Sequence, residues 1–593
     1  MIGWWMIILA LPLGTALLFS LDEPTRIFAR RFAPWVTLPP VALALFWPAG
    51  QFADASWFMF GGAFGLDEPG QFLMLLTSVV WAVASFYARR YTADDPKKDR
   101  FWLFFLLTMA GNLGLVGAFS IGSFYLFFAL MTFASFGLVV HDETTTAHYA
   151  ARVYITMAIL GEALLLVGLV MAGQAAPDWD LRTLGAEVAH DPRAHLITGL
   201  LLTGFGVKAG AVLLHMWLPL AHPAAPTPAS AVLSGAIIKA GLIGWMRFLP
   251  GGEIDMTLWG GFMIVMGLIA AFFGVVLGLV QTNPKANLAY SSISQMGFLT
   301  LAIGIGLMEP ALWPPALMAA AIYALHHGLA KSTLFLGVGV AQFAIETGRQ
   351  RALLLIGLAF ASLALAGAPL TSGYLAKLQL KELASELSSG WSRAIDFFLP
   401  LAAIGTFCLL ARFLWLIHRA TISRATGSRE TGSGDEITAV KRGLWRPWLV
   451  SLAGVALLPW ISLWWFDHAA PERIGSPTDL WKAGVPILAG LGIIMLVWWR
   501  GWRYSRAWKI LPGDILAPIS RVVALGISAW GDLLVPTSAR LQSAVIRFRS
   551  RAILKVGRWM AAGEVAITRW GTGGAMFILL ILLLVLVLTL TGR

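Results

Sequence analysis

LLLTGFGVKAGAVLLHMWLPLAHPAAPTPASAVLSGAIIKAGLIGWMRF, residues 200–248, decides how this chain is read. It holds two apolar runs of membrane-spanning length, and each keeps a lysine inside it, Lys208 and Lys239. A lysine at the centre of a membrane helix costs about 2.5–3.5 kcal/mol on insertion scales, so each one needs a reason. Pro219, Pro223, Pro226 and Pro228 stand at the junction between the runs. Unwound backbone at membrane depth is tolerated only where protein or water satisfies it.

The whole composition agrees with a bilayer setting. The 593 residues are 58% hydrophobic and only 12% charged, with a mean hydropathy of +0.76, whereas soluble domains carry about a quarter charged residues. The net charge of +12 would suggest nucleic acid in a soluble protein; here it reads as the cationic bias of cytoplasmic loops. Cys408 is the single cysteine, which excludes an internal disulfide and a Cys-ligated zinc or iron–sulfur site. CxxCH, Walker and dinucleotide-binding motifs are absent. The sequence therefore implies no catalytic residue, cofactor or metal of its own, and any electrons or ATP would be handled by another subunit.

Taking about 20 apolar residues per span, candidates fall near 3–20, 33–50, 70–89, 101–118, 121–140, 152–172, 196–216, 228–248, 257–280, 286–307, 315–343, 352–376, 396–418, 447–466, 482–499 and 574–591. The expected fold is thus an all-α polytopic membrane protein with about 16 transmembrane helices. The apolar N-terminus lacks a basic n-region and is read as a retained first span. Alternate loops are basic, for example Arg26, Arg30 and Arg31, then Arg89, Arg90, Lys97, Lys98 and Arg100. The others are acidic, for example Asp178, Asp180, Glu187 and Asp191. This alternation predicts both termini on the non-cytoplasmic side of a bacterial inner membrane. Segment 501–572 mixes apolar residues with regularly spaced bases. It fits a long amphipathic helix along the cytoplasmic face, or two shorter interfacial helices around Pro536.

The remaining polar residues within apolar helices are few. Lys208 is read mid-helix, with His215 two turns along the same face. His327 and Lys331, four apart, are neighbours on another helix. Lys377 ends LALAGAPLTSGYLAK, residues 363–377, where Pro369 and Gly373 should break the helix. Glu162, in YITMAILGEALLLVGL, residues 154–169, is the carboxylate placed deep in a span. A single lysine could snorkel to the interface, but four lysines, two histidines and a glutamate in separate apolar helices need pairing, hydration or titration. A chain of such groups is a proton relay, in which moving one charge switches the next lysine between holding and releasing its proton. His215 and His327 are suited to bridge between lysines. Two helix breaks about five spans apart, each with a lysine nearby, suggest a duplicated five-helix unit; an odd number of spans makes the copies inverted.

LHMWLPLAHPAAPTPASAVLSGAIIKAGLIGWMRF (214–248), AYSSISQMGF (289–298), HHGLAKSTLFL (326–336) and LAGAPLTSGYLAK (365–377) resemble the core signatures of the antiporter-like family. That family comprises the large proton-pumping membrane subunits of respiratory complex I, Mrp-type cation/proton antiporter subunits, and their counterparts in membrane-bound hydrogenase and formate hydrogenlyase complexes. The resemblance covers roughly residues 70–420. It implies two inverted five-helix repeats, each a proton half-channel, joined by a hydrophilic axis. It implies that Lys208 is the lysine of the first broken helix and Lys239 the central lysine of the next helix. His327 and Lys331 then link the halves, and Lys377 is the exit-side group. The implied organisation is a three-helix segment 1–100, a first repeat 101–249, a second repeat 257–418, peripheral helices and a loop 419–500, a lateral helix 501–572 and a final anchor 573–593. The lateral helix resembles that of the distal complex I subunit type. One departure stands out. The family usually has a glutamate in the fifth helix, and here the matching stretch FYLFFALMTFASFGLVV places Ala129 there. Glu162, one helix later, is the candidate replacement as partner of Lys208.

The leading expectation is an H+-translocating subunit of a redox-driven complex. Its partners would be other antiporter-like and small membrane subunits, with a soluble Fe–S/flavin or Ni–Fe arm. The alternatives are a Na+/H+ antiporter subunit of Mrp type, the membrane half of an inorganic-carbon uptake complex with a zinc-binding partner, and a structural scaffold.

Overall fold

The computed structural model describes residues 2–58, 62–176, 178–388, 390–427 (backbone alone for 423–427), 442–468 and 474–500. The lateral helix and final span expected at 501–572 and 574–591 lie outside them, as do residues 428–441 of the polar loop.

The chain is mostly helical. An N-terminal group holds α1 (Ile2–Leu18), α2 (Glu23–Phe32), α3 (Leu38–Phe46) and α4 (Glu68–Tyr91). Between α3 and α4 lies a hairpin of β1 (Gln51–Asp54) and β2 (Ala63–Leu66), paired antiparallel with Gln51 opposite Leu66. The all-α expectation did not include it. Next come α5 (Lys98–Gly117), α6 (Ile121–Val139), α7 (Thr145–Ala175), α8 (Leu184–His190) and α9 (Ala194–Ala209). After a non-helical segment follow α10 (Leu218–Ala224), α11 (Thr227–Val232), a π-helical turn Leu233–Ile237, and α12 (Lys239–Phe248). The later part holds α13 (Thr257–Leu279), α14 (Pro284–Met308), α15 (Trp313–Phe343), α16 (Gly348–Ala366), α17 (Ser372–Ser385), α18 (Trp391–Gly427), α19 (Trp445–Trp465) and α20 (Pro477–Trp499).

Eleven spans among the described residues are long and apolar enough to cross a membrane. Ile2–Leu18, Trp35–Phe46 and Ala194–Ala209 are shorter. The 31-residue α15 is long enough, but its polar residues keep it out of the apolar set. The helix starts are legible chemistry. Asn283 accepts from the amides of Lys285 and Ala286 with Pro284 behind it, and Thr347 and Gln350 form a reciprocal capping box, each satisfying amides that have no partner in the helix.

Helix α15 is the centre of the packing, lying against α4, α11, α14, α16, α17 and α19. It crosses the π-helical turn at glycines on both sides. A Cβ on Gly328 would stand 2.5 Å from the Gly235 carbonyl oxygen, so the backbones touch where small residues permit it. Arg247, at the end of α12, is buried. It donates to Asp67 Oδ1 at 3.1 Å and to the Val116 carbonyl at 3.2 Å, and lies 3.6 Å over the Phe119 ring. It ties the ends of α5 and α12 to the start of α4.

A buried line of lysines, hydroxyls and histidines

Two helix breaks with one backbone plan are present, the first at 210–217, just ahead of the proline stretch expected to make it. The first follows α9 with Gly210 at φ 67 and Leu213 at φ 72; the second follows α16 with Gly367 at φ 85 and Leu370 at φ 61. Each is a left-handed glycine followed three residues later by a left-handed leucine. A glycine takes that conformation freely and ends a helix there; a leucine does so only under constraint from its surroundings.

Lys208 is not mid-helix, since α9 ends one residue later. For the same reason His215 does not lie two turns along its face. It sits inside the break, fully buried, with its ring edge-on to Phe273 at 4.9 Å. Lys208 Nζ donates to the Tyr154 hydroxyl at 2.8 Å and lies 5.2 Å over that ring. The Tyr154 hydroxyl is 2.5 Å from Ser135 Oγ and donates to the Thr132 carbonyl at 3.1 Å. Glu162 is buried on α7. Its charge and that of Lys208 act on one another without forming an ion pair. The Tyr125 and Thr132 hydroxyls of α6 face its carboxylate without closing a hydrogen bond of ordinary geometry. Ala129 is buried between those two on α6, on the same helical face.

Lys239 follows the π-helical turn directly. There the Ile238 amide reaches back to the Leu233 carbonyl, which leaves the Ser234 carbonyl free to accept from Lys239 Nζ at 2.7 Å. Single π turns of this kind recur at functional sites. Ser234 Oγ is 2.8 Å from Ser292 Oγ on α14. Ser292 Oγ donates to the Leu288 carbonyl at 3.1 Å, and Lys331 Nζ donates to that same carbonyl at 2.6 Å. Lys239 and Lys331 are therefore anchored at the two ends of one serine pair.

His327 is fully buried beside both lysines, and its ring nitrogens have no hydrogen-bond partner among the described residues. It shares a face of α15 with Lys331, as expected from their spacing. Lys377 lies inside α17, and its Nζ folds back to the Ala366 carbonyl, 2.6 Å away, which the second break exposes. Pro369 lies in that break, but Gly373 belongs to α17. Lys377 opens onto a cavity of about 110 Å³ whose rim carries Lys381, Asp396, Asp479 and Lys482.

Several polar residues here were not singled out from sequence. His326 Nδ1 is 2.8 Å from Ser372 Oγ at the start of α17, so it, rather than His327, touches the second break. Lys285 donates to the Ala225 carbonyl at 2.7 Å, at the proline junction. Its place after Asn283 and Pro284 reads as a loop, yet it is buried. Serines and tyrosines such as Ser234, Ser292 and Tyr154 are unremarkable in an apolar run; only Lys239, five residues after Ser234, hints at one of them.

The fold and this line of groups define a multi-pass membrane protein with a polar axis through its core. Residues 118–404, just under half of the chain, match the family described as NADH:quinone oxidoreductase/Mrp antiporter, TM, so that this stretch is similar to the antiporter-like membrane subunits. It is 30% identical over 310 residues to hydrogenase-4 component B of Escherichia coli (strain K12), covering 50% of this chain and 45% of that one. It is 27% identical over 448 residues to the putative antiporter subunit mnhA2 of Staphylococcus haemolyticus (strain JCSC1435), covering 70% and 55%. In fold it resembles a chain of the Mrp complex from Dietzia sp. DQ12-45-1b, with a TM-score of 0.70, 23% identity, and 95% of this chain and 63% of that one covered. The chain spans about half the length of the curated relatives it matches.

Proposed function

We propose that this chain is a proton-translocating subunit of a multi-subunit, redox-driven membrane complex of complex I or hydrogenase type. In this reading Glu162 and Lys208 form the first half-channel and Lys239, His327 and Lys331 the central link. Lys377 and its cavity are the exit side. The observation that carries the reading is the pair Ser234–Ser292 spanning Lys239 and Lys331. Ammonium groups anchored on carbonyls hold the ends, and hydroxyls, which both donate and accept, fill the gap. A scaffold would have no use for two costly lysines in that arrangement. The matching left-handed glycine–leucine breaks support two related five-helix units, which the odd span count would invert across the membrane. The charge alternation supports both termini on the non-cytoplasmic side. His215 serves as a bridge within the first break.

The second reading is a subunit of a Mrp-type cation/proton antiporter, which the fold likeness to the Mrp complex favours. The deciding experiment is to tag the chain, extract it in mild detergent, identify its companions by mass spectrometry, and assay proton movement by the reconstituted assembly. Iron–sulfur, nickel or flavin subunits with electron-driven acidification support the pump. Small apolar subunits alone, with cation-driven proton exchange, replace it with the antiporter, and a soluble zinc protein replaces both with carbon uptake.

A further inference from the structure

A groove of about 470 Å³ runs along the outside of the bundle between α3, α4 and α19. Its walls are apolar, formed by Leu38, Val41, Val79, Val83, Phe86 and Val450, and its mouth carries Arg89, Arg90 and Arg446. The groove faces outward: Val450 is 61% exposed. Arg90, Phe86, Val83 and Val79 descend one face of α4 over eleven residue steps, about 16 Å at 1.5 Å per step. That is about the depth of one leaflet's hydrocarbon.

Several bases on the same rim are neutralised by carboxylates. Arg30 is held by Asp99 at 2.7 Å, Lys97 and Arg100 by Glu143, and Arg442 by Glu346 at 2.9 Å. Arg89, Arg90 and Arg446 are exposed and make no ion pair among the described residues. Arg90 is also positioned: its side chain lies across the backbone of Gly443, where a Cβ would stand 3.0 Å from Arg90 Cγ and Cδ. Trp35, half exposed, stands edge-on to Phe86 at 5.3 Å beside the groove, as interfacial tryptophans do.

The geometry points to a binding site for an anionic phospholipid, with its acyl chain along α4 and its phosphate among Arg89, Arg90 and Arg446. Unpaired arginines above an apolar furrow complement one charged, one-tailed-in-groove molecule: guanidinium forks match phosphate oxygens, and basic pockets at the headgroup level select anionic lipids. A protein segment filling the furrow would bring no phosphate to the three arginines, which sets the lipid ahead of it.

The test uses the full chain, purified with its native companions and delipidated in neutral detergent. Cardiolipin, phosphatidylcholine and inorganic phosphate are titrated separately, and bound lipid is read by native mass spectrometry with the unfolding midpoint alongside. Cardiolipin should bind and raise the midpoint, whereas phosphatidylcholine and free phosphate should not. Each of R89Q, R90Q and R446Q should weaken cardiolipin about 5-fold, the equivalent of one basic residue near an anionic headgroup. Val79→Trp, which fills the furrow and leaves the charges alone, should abolish binding as well. Equal affinity for phosphatidylcholine, full competition by free phosphate, or unchanged binding in both the Val79→Trp and triple-arginine variants would overturn the assignment. A photo-crosslinker at position 83 that captures a companion protein instead of lipid would overturn it too.

Discussion

Ser234 Oγ and Ser292 Oγ stand 2.8 Å apart, and each belongs to a residue whose neighbourhood holds a lysine by a carbonyl, Lys239 on one side and Lys331 on the other. If this hydroxyl pair carries protons, chemistry rather than shape should decide the effect of replacing it. Threonine and valine have nearly the same shape and differ by the hydroxyl. Ser292→Thr should keep coupled proton movement near the native rate, while Ser292→Val should slow it on the order of 10²-fold, the scale of a lost positioned proton-transfer group. Both variants should assemble normally by gel filtration. Equal rates in the two would remove the pair from the relay.

The serine bridge depends on the closeness of the helices behind it. At the Gly235–Gly328 crossing a Cβ on residue 328 would sit 2.5 Å from a carbonyl oxygen, and backbone cannot yield as a flexible side chain does. Gly328→Ala should therefore force the π-helical turn away from α15, costing about 1–3 kcal/mol as overpacking usually does. It should also reduce proton movement although no titratable group has changed. The measurement is the unfolding midpoint together with the transport rate; a native value for both would show that the crossing has slack.

The carboxylate partner of Lys208 can be tested by moving it. Tyr125, Ala129 and Thr132 share one face of α6, and the outer two turn their hydroxyls toward Glu162. A glutamate at 129 would thus reach the space that Glu162 now fills from α7. Glu162→Gln should remove most coupled proton movement, and so should Lys208→Ala. Adding Ala129→Glu to Glu162→Ala should restore a measurable part of it. Failure of that rescue, with the double variant folded, would mean that the position of the carboxylate matters as well as its presence.

Much of this was legible in the sequence, because the cost of a charge in an apolar helix makes lysines conspicuous. His327 and Lys331 share a helix face as their spacing implied, and Lys239 lies beside them, which no spacing could show. What spacing could not show was where helices stop. Lys208 and His215 look like one helical face because the run 200–219 has no proline until its end, yet Gly210 closes the helix between them. The π-helical turn before Lys239 was equally hidden, since SGAII carries no breaker. Ser234, Ser292 and Tyr154 carry no burial cost large enough to stand out, so their contacts emerge only once the helices are packed. His326 and His327 are adjacent, and only the three-dimensional position of Ser372 tells which one meets the break.

Outside the membrane, the loop joining α6 and α7 makes a prediction about acid. Glu143 adopts a left-handed backbone, φ 52, and its carboxylate takes hydrogen bonds from Lys97 Nζ at 2.5 Å and from Arg100. Those two bonds, Lys97 first, hold its carboxyl down at about 2, against 4.5 for an ordinary glutamate. A carboxyl lowered in the folded state stabilises the fold above its unfolded value, and that contribution fades as pH falls from about 4.5 toward about 2. The side chain is one-third exposed, 33%, so solvent screening keeps the contribution to about 1 kcal/mol. Glu143→Gln should lower the unfolding free energy at pH 7 by that amount and, between pH 4.5 and 2, lose less stability than the native chain. Parallel stability–pH curves for the two would mean that Lys97 and Arg100 are held by water as well as by Glu143.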